Sequence, residues 1–81
     1  PEGFKATHVD IYAAQDLTIE AFEMDINASG ITSRSSAGTA NTTLALTSAV
    51  NATATNYLAI IVTTTATSNR VWGGSVTIAA Q

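Results

Sequence analysis

The chain has 81 residues, no cysteine, one histidine and a net charge of −3. Only 11% of it is charged, against roughly 25% in an average soluble domain, and alanine, threonine and serine fill 36 of the 81 positions. That size allows a single β domain over residues 1–81 with a thin stability margin. Without cysteine it has neither disulfides nor thiolate metal sites to strengthen it, so association with other chains is the expected support.

Charge and hydropathy exclude two kinds of partner. Three basic residues, Lys5, Arg34 and Arg70, make no patch able to neutralise several phosphates, so no nucleic acid is expected. The longest apolar run, Leu58 to Val62, is far short of the roughly 18–20 residues of a spanning helix, so no membrane is expected either. The charge is also lopsided. All six acids (Glu2, Asp10, Asp16, Glu20, Glu23, Asp25) lie in the first 25 residues, and residues 26–81 carry only two arginines. Acids gathered in this way read first as a solvated sheet face. They also suit a chain whose two parts meet different neighbours.

The dominant period along the chain is two, which predicts strands. Residues Thr7 to Tyr12 alternate, with Val9 and Ile11 on one face and His8, Asp10 and Tyr12 on the other; Ala13 to Asp16 reads as a turn. Next, Leu17, Ile19 and Ala21 alternate with polar residues, but the phase then slips to Phe22, Met24 and Ile26. A β-bulge near Glu20–Phe22 is expected to return these apolar residues to one face. The i, i+3, i+7 spacing of Ile19, Phe22 and Ile26 leaves a helix as the rival, but the alternation favours the strand.

Asn27 to Gly30 is a turn signal, Ile31 to Ser33 a short strand at best, and Arg34 to Asn41 a flexible polar loop. Thr42 to Ser48 alternates with Leu44 and Leu46 inward, and Ala49 to Thr55 is a second polar connection. Asn56 to Thr65 is the strongest strand. Leu58, Ile60 and Val62 form one face and Tyr57, Ala59 and Ile61 the other, a two-sided pattern expected of a central strand or an interface. Ala66 to Asn69 reads as a hairpin-like turn. The last strand starts at Arg70-Val71-Trp72, and its inward phase shifts across Gly73-Gly74, as a bulge or bend requires.

Six or seven short strands at this spacing predict an all-β fold, a small antiparallel β-sandwich or barrel, Ig-like or jelly-roll-like. The expected packing residues are Val9, Ile11, Phe22, Met24, Ile26, Leu44, Leu46, Leu58, Ile60, Val62 and Ile78.

No residue set carries a reaction. The acids are spread over two strands rather than gathered in a calcium loop, so no metal is expected. His8 and Asp10 share a face and form a possible Asp–His pair, but so small a sandwich has little room for a cleft; no catalytic residue and no cofactor are assigned. Trp72, Tyr57 and Tyr12 are the candidates for a sugar-stacking platform.

The stretch from Asn56 to Ile78, with its strand, Thr-rich turn, Asn69-Arg70, Trp72-Gly73-Gly74 and closing strand, resembles the endings of small virion structural proteins of tailed bacteriophages. The resemblance covers about 25 of the 81 residues. It implies a non-enzymatic role in a particle, as a capsid decoration (cement) protein or a tail or head fibre module. Its partners would be other copies of itself, with a trimer favoured, and other capsid or tail proteins. The alternatives are a carbohydrate-binding or adhesin module and a subunit of an extracellular fibre or surface layer. A weakly charged surface loses little desolvation energy on packing, and the contact candidates are Tyr57, Ile61, Arg70 and Trp72.

Overall fold

A computed structural model describes residues 3–27 and 30–81. The turn signal at Asn27–Gly30 therefore lies partly outside the described residues. Seven strands form: β1 Phe4–Ala13, β2 Thr18–Asp25, β3 Ile31–Ser33, β4 Gly38–Thr39, β5 Leu44–Asn51, β6 Asn56–Thr63 and β7 Val71–Ala80. They make two antiparallel sheets of a small β-sandwich. One has the order β5-β1-β7. The other centres on β2, with β3 and β4 along one edge and β6 along the other.

Both sheets supply the core. Ala13, Leu17, Ile19, Ala21, Ala40 and Leu44 form its buried cluster, and Ile11, Leu46, Leu58, Ile60 and Val62 pack against it. Val9 and Ile19 are the largest side chains fully removed from water. In β1, Ala6 and Val9 are both buried although they sit three residues apart. A register shift between Ala6 and His8, against both β5 and β7, makes this possible. Against β7, Thr7 is the extra residue of a bulge; against β5 the longer step is on β5, from Val50 to Ala45. A second shift, between Tyr12 and Ala13, falls opposite Trp72 and Gly73. It is the bulge expected at the glycine pair, and Gly73 there has φ +147°, a conformation open to glycine and strained for other residues.

The bulge expected at Glu20–Phe22 does not form. β2 pairs with β6 in unbroken register from Thr18–Thr63 to Asp25–Asn56. The inner face of β2 therefore continues from Ile19 and Ala21 to Glu23, and Phe22 and Met24 turn outward. Two facts let the strand stay regular. β6 is apolar on both faces, so it accepts either phase. The inward Glu23 also has partners: Arg34 approaches it at 3.0 Å through both Nε and Nη2, and Asn56 Nδ2 donates to it at 2.8 Å. Of the expected packing residues, Phe22 and Met24 are thus half-buried on the outer face, and Ile26 is 70% exposed.

Residues 34–41 are a packed connection rather than a flexible loop. The Ala21 N–H donates to Ser35 Oγ, the Arg34 N–H to the Ala21 carbonyl, and the Ala40 N–H to the Leu17 carbonyl. Ala40 is fully buried. Hydrophobicity gives no sign of this, because the anchoring groups are backbone amides and a serine. Asn41 adopts φ +67°, which asparagine tolerates better than most residues. Its Oδ1 accepts from the Ala13 N–H at 3.0 Å, and its Nδ2 donates to the Ala13 carbonyl and to Asp16. Asn41→Ala should therefore cost about 2 kcal/mol, because the amide of buried Ala13 loses its acceptor and a β-carbon residue without a polar tip keeps positive φ. Asn41→Gly should recover part of that loss. Urea unfolding of the two variants checks the ranking.

β5 runs to Asn51, three residues beyond its expected end. In its middle the Thr47 and Ser48 amides donate to the Arg34 carbonyl, so β5 is tied across to the other sheet. The opposite side of the sandwich is not closed in this way. The turn at Ala66–Asn69 is present, held by the Thr65 and Ala66 amides donating to Asn69 Oδ1. It is not a hairpin, because β6 pairs with β2 and β7 with β1. Among the described residues no backbone hydrogen bond joins β6 to β7. β6, whose two apolar faces predict a central strand or an interface, is an edge strand.

Candidate interaction surface

The regular register of β2 builds an apolar outer face across three strands. Ile31, Met24 and Tyr57 form one cross-strand row; Ser33, Phe22 and Ala59 form the next; Glu20 and Ile61 form the third. Side chains in such rows stand about 5 Å apart and touch one another. Ile31, Tyr57 and Ile61 are each nearly half exposed. Scattered apolar residues on a surface need no explanation, but a contiguous set does. The signal is in the sequence: the phase slip at Ala21–Phe22 predicts a bulge, whereas an uninterrupted strand turns it into a second apolar face.

The open side between β6 and β7 carries a second apolar feature. Every residue of β7 is exposed. Its register places Val76 opposite buried Val9 and Ile78 opposite buried Ala6. Both thus lie on the core side of their sheet, yet they are 43% and 50% exposed. The second sheet ends at β6 and does not reach over them, so Ile78 is not the core residue expected from the sequence. A groove of about 270 Å³ fills the gap, with Tyr57 and Leu58 on one wall, Val76 and Ile78 on the other, and Ala6 and Val50 between them. Lys5 is its one charged lining residue.

The four contact candidates divide between these regions. Tyr57 and Ile61 share the outer face of β6, and Tyr57 also lines the groove. Arg70 and Trp72 belong to the other sheet's end. Arg70 Nη1 donates to the carbonyls of Asn69 and Thr67, and no carboxylate among the described residues reaches it. Trp72 is 73% exposed in the bulge beside the Tyr12–Gly73 pair, and Tyr12 is 50% exposed. Tyr57 is on the opposite sheet, so the three rings do not form one row.

The acids are not a bare charged face. Asp10 accepts from Thr43, Glu20 from Ser33, Asp25 from Thr55 and the Asn27 amide, and Asp16 from Asn41, while Glu23 holds Arg34 and Asn56. Each described acid thus fastens a serine, threonine, asparagine or arginine from later in the chain, and the lopsided charge becomes a division into acceptors and donors. Among the described residues no three potential ligands gather as a metal site. His8 Nδ1 lies 2.9 Å from Thr7 Oγ1 and is not bonded to Asp10. Comparison with protein-family models, curated proteins and solved structures finds no match to this chain.

Proposed function

We propose that this chain is a non-enzymatic structural subunit of a bacteriophage particle, a capsid decoration protein or a fibre module, that works by association with other virion subunits. The observation that supports the reading is the outer face of the β3-β2-β6 sheet, where Phe22, Met24, Ile31, Tyr57 and Ile61 stand together on the surface. The groove between β6 and β7 adds to it. Contacts of this kind act by buried area, and their cores are poor in charge. The resemblance of residues 56–78 to virion protein endings supplies the context. Immunogold imaging of virions from the source of this chain, with an antibody raised against it, tests the reading. Regular labelling of heads or tails is the expected result, and unlabelled particles would sink the proposal.

One observation favours a second reading as a carbohydrate-binding or adhesin module. Trp72 and Tyr12 are both exposed, Tyr12 paired with Gly73 and Trp72 next to it in the chain, and exposed rings are what sugar stacking uses. On this reading a glycan array gives hits that Trp72→Ala abolishes. On the structural reading the array is blank for both proteins.

A further inference from the structure

We infer that the open side of the sandwich is the seat of a second copy of this chain, joined by antiparallel pairing of β7 with β7 about a two-fold axis at Thr77. The inference rests on the reading of the chain as an associating subunit and names its first partner; it does not depend on the particle being a phage.

The argument starts from the edge itself. β7 is ten residues long and pairs only with β1, so its other edge offers backbone donors and acceptors to no described strand. Natural sheets guard such edges with charge, proline or a covering segment. Val71 to Ala80 contains neither charge nor proline, and its bulge at Trp72 lies outside the stretch from Gly74 to Ala80. The opposite side of the molecule is guarded, since β5 is bonded to the Arg34 carbonyl. An unguarded edge of this length is a template for strand addition.

The sequence of β7 complements itself. With Thr77 on the axis, Val76 of one copy faces Ile78 of the other, Thr77 faces Thr77, and Ser75 faces Ala79. Pairs of β-branched residues and threonine–threonine pairs are among the favourable cross-strand neighbours. Val76 and Ile78 of the second copy also lie on the core side of the extended sheet, where they cover the groove between Leu58 and Val76.

Symmetry and size select the occupant. Both open edges, β6 and β7, lie on one side of the molecule. A ring of three needs two different patches facing in different directions, whereas one self-complementary patch closes as a two-fold dimer. With Thr77 on the axis the paired stretch is Gly74 to Ala80, about 23 Å long, and the shortest dimension of the molecule is 20 Å. The face therefore offers roughly 450–500 Å² per copy, the size of a weak, reversible interface, which suits a dimer that forms in the micromolar range. The near absence of charge on it lets two copies of net charge −3 meet without ionic repulsion.

Sedimentation velocity of the whole chain across the micromolar range, with two variants, tests this. The wild type should sediment as a dimer of the 8.3 kDa chain. Ile78→Lys, an inward-pointing charge at an exposed position, should be monomeric and still melt cooperatively. Thr77→Cys introduces the only cysteine, at a pair separation that suits a disulfide. Mild oxidation should give a covalent dimer that Thr47→Cys on β5 does not give. A monomeric or trimeric wild type, or a Thr77→Cys chain that stays uncrosslinked, overturns the inference. A monomer that nevertheless labels virions overturns this inference alone; one that labels none overturns the structural-subunit reading as well.

Discussion

Replacing Gly74 with alanine is expected to remove about 3 kcal/mol or more of folding stability through one methyl group. A β-carbon built there stands 2.2 Å from the Asp10 carbonyl oxygen and 2.9 Å from Ile11 Cδ1. The oxygen cannot swing aside as a side chain would, because it belongs to β1, the central strand held between β5 and β7. Relief requires that β7 lift away from β1 at the Ile11–Gly74 pair. For a chain with a total of about 5 kcal/mol, that is more than half the margin, and the melting temperature should fall by roughly 15 °C. Gly73→Ala is the control. Its β-carbon meets nothing within 4 Å, but its φ of +147° strains any other residue, so it should cost about 1–2 kcal/mol. Thermal and urea unfolding of both variants give the ranking. A Gly74→Ala protein as stable as the Gly73→Ala one contradicts the close approach of β1 and β7.

The contrast between these adjacent glycines bears on what a single sequence reveals. The pair sits at a phase change from Val71 to Val76, and strong apolar residues on both sides made that bulge legible. The bulge at Thr7 rests on Ala6, whose small side chain is a weak marker of an inward position, so it passed unseen. At Phe22 the marker was strong and the inference still failed. The phase slip assumed one buried face per strand, and β2 has apolar residues on both. The strand periods of β1, β5, β6 and β7 were legible for the same reason that the all-β sandwich was: period-two burial of large side chains is written in hydropathy. The packing of residues 34–41 was not, because Ser35, Ala40 and Asn41 act through backbone amides and a positive φ. The outward place of Tyr57 and Ile61 was legible because β6 is visibly apolar on both sides. Their neighbours Phe22, Met24 and Ile31 became surface residues only when the unbroken β2–β6 register was known.

That register gives a test in which stability and association move independently. Ile61 stands directly across from Glu20 on the outer face. Ile61→Lys places a cation opposite that carboxylate, and a cross-strand pair of opposite charge contributes a few tenths of a kcal/mol. Ile61 is 48% exposed and the core closes without it, so unfolding in urea should show the variant equal to the wild type or slightly more stable. Binding should change in the opposite sense. If the rows of Met24, Phe22 and Ile61 are the apolar centre of a contact, a buried lysine there must lose its hydration without a partner on the other side. A cost of about 2 kcal/mol or more, typical of a central contact residue, lowers affinity roughly 30-fold. Co-sedimentation of the variant with purified particles measures it. A variant that is destabilised and also binds poorly would trace the loss to folding, and one that binds as well as the wild type would remove the outer face from the contact. Only unchanged folding with weakened binding fits a face that the monomer leaves uncovered and the assembly buries.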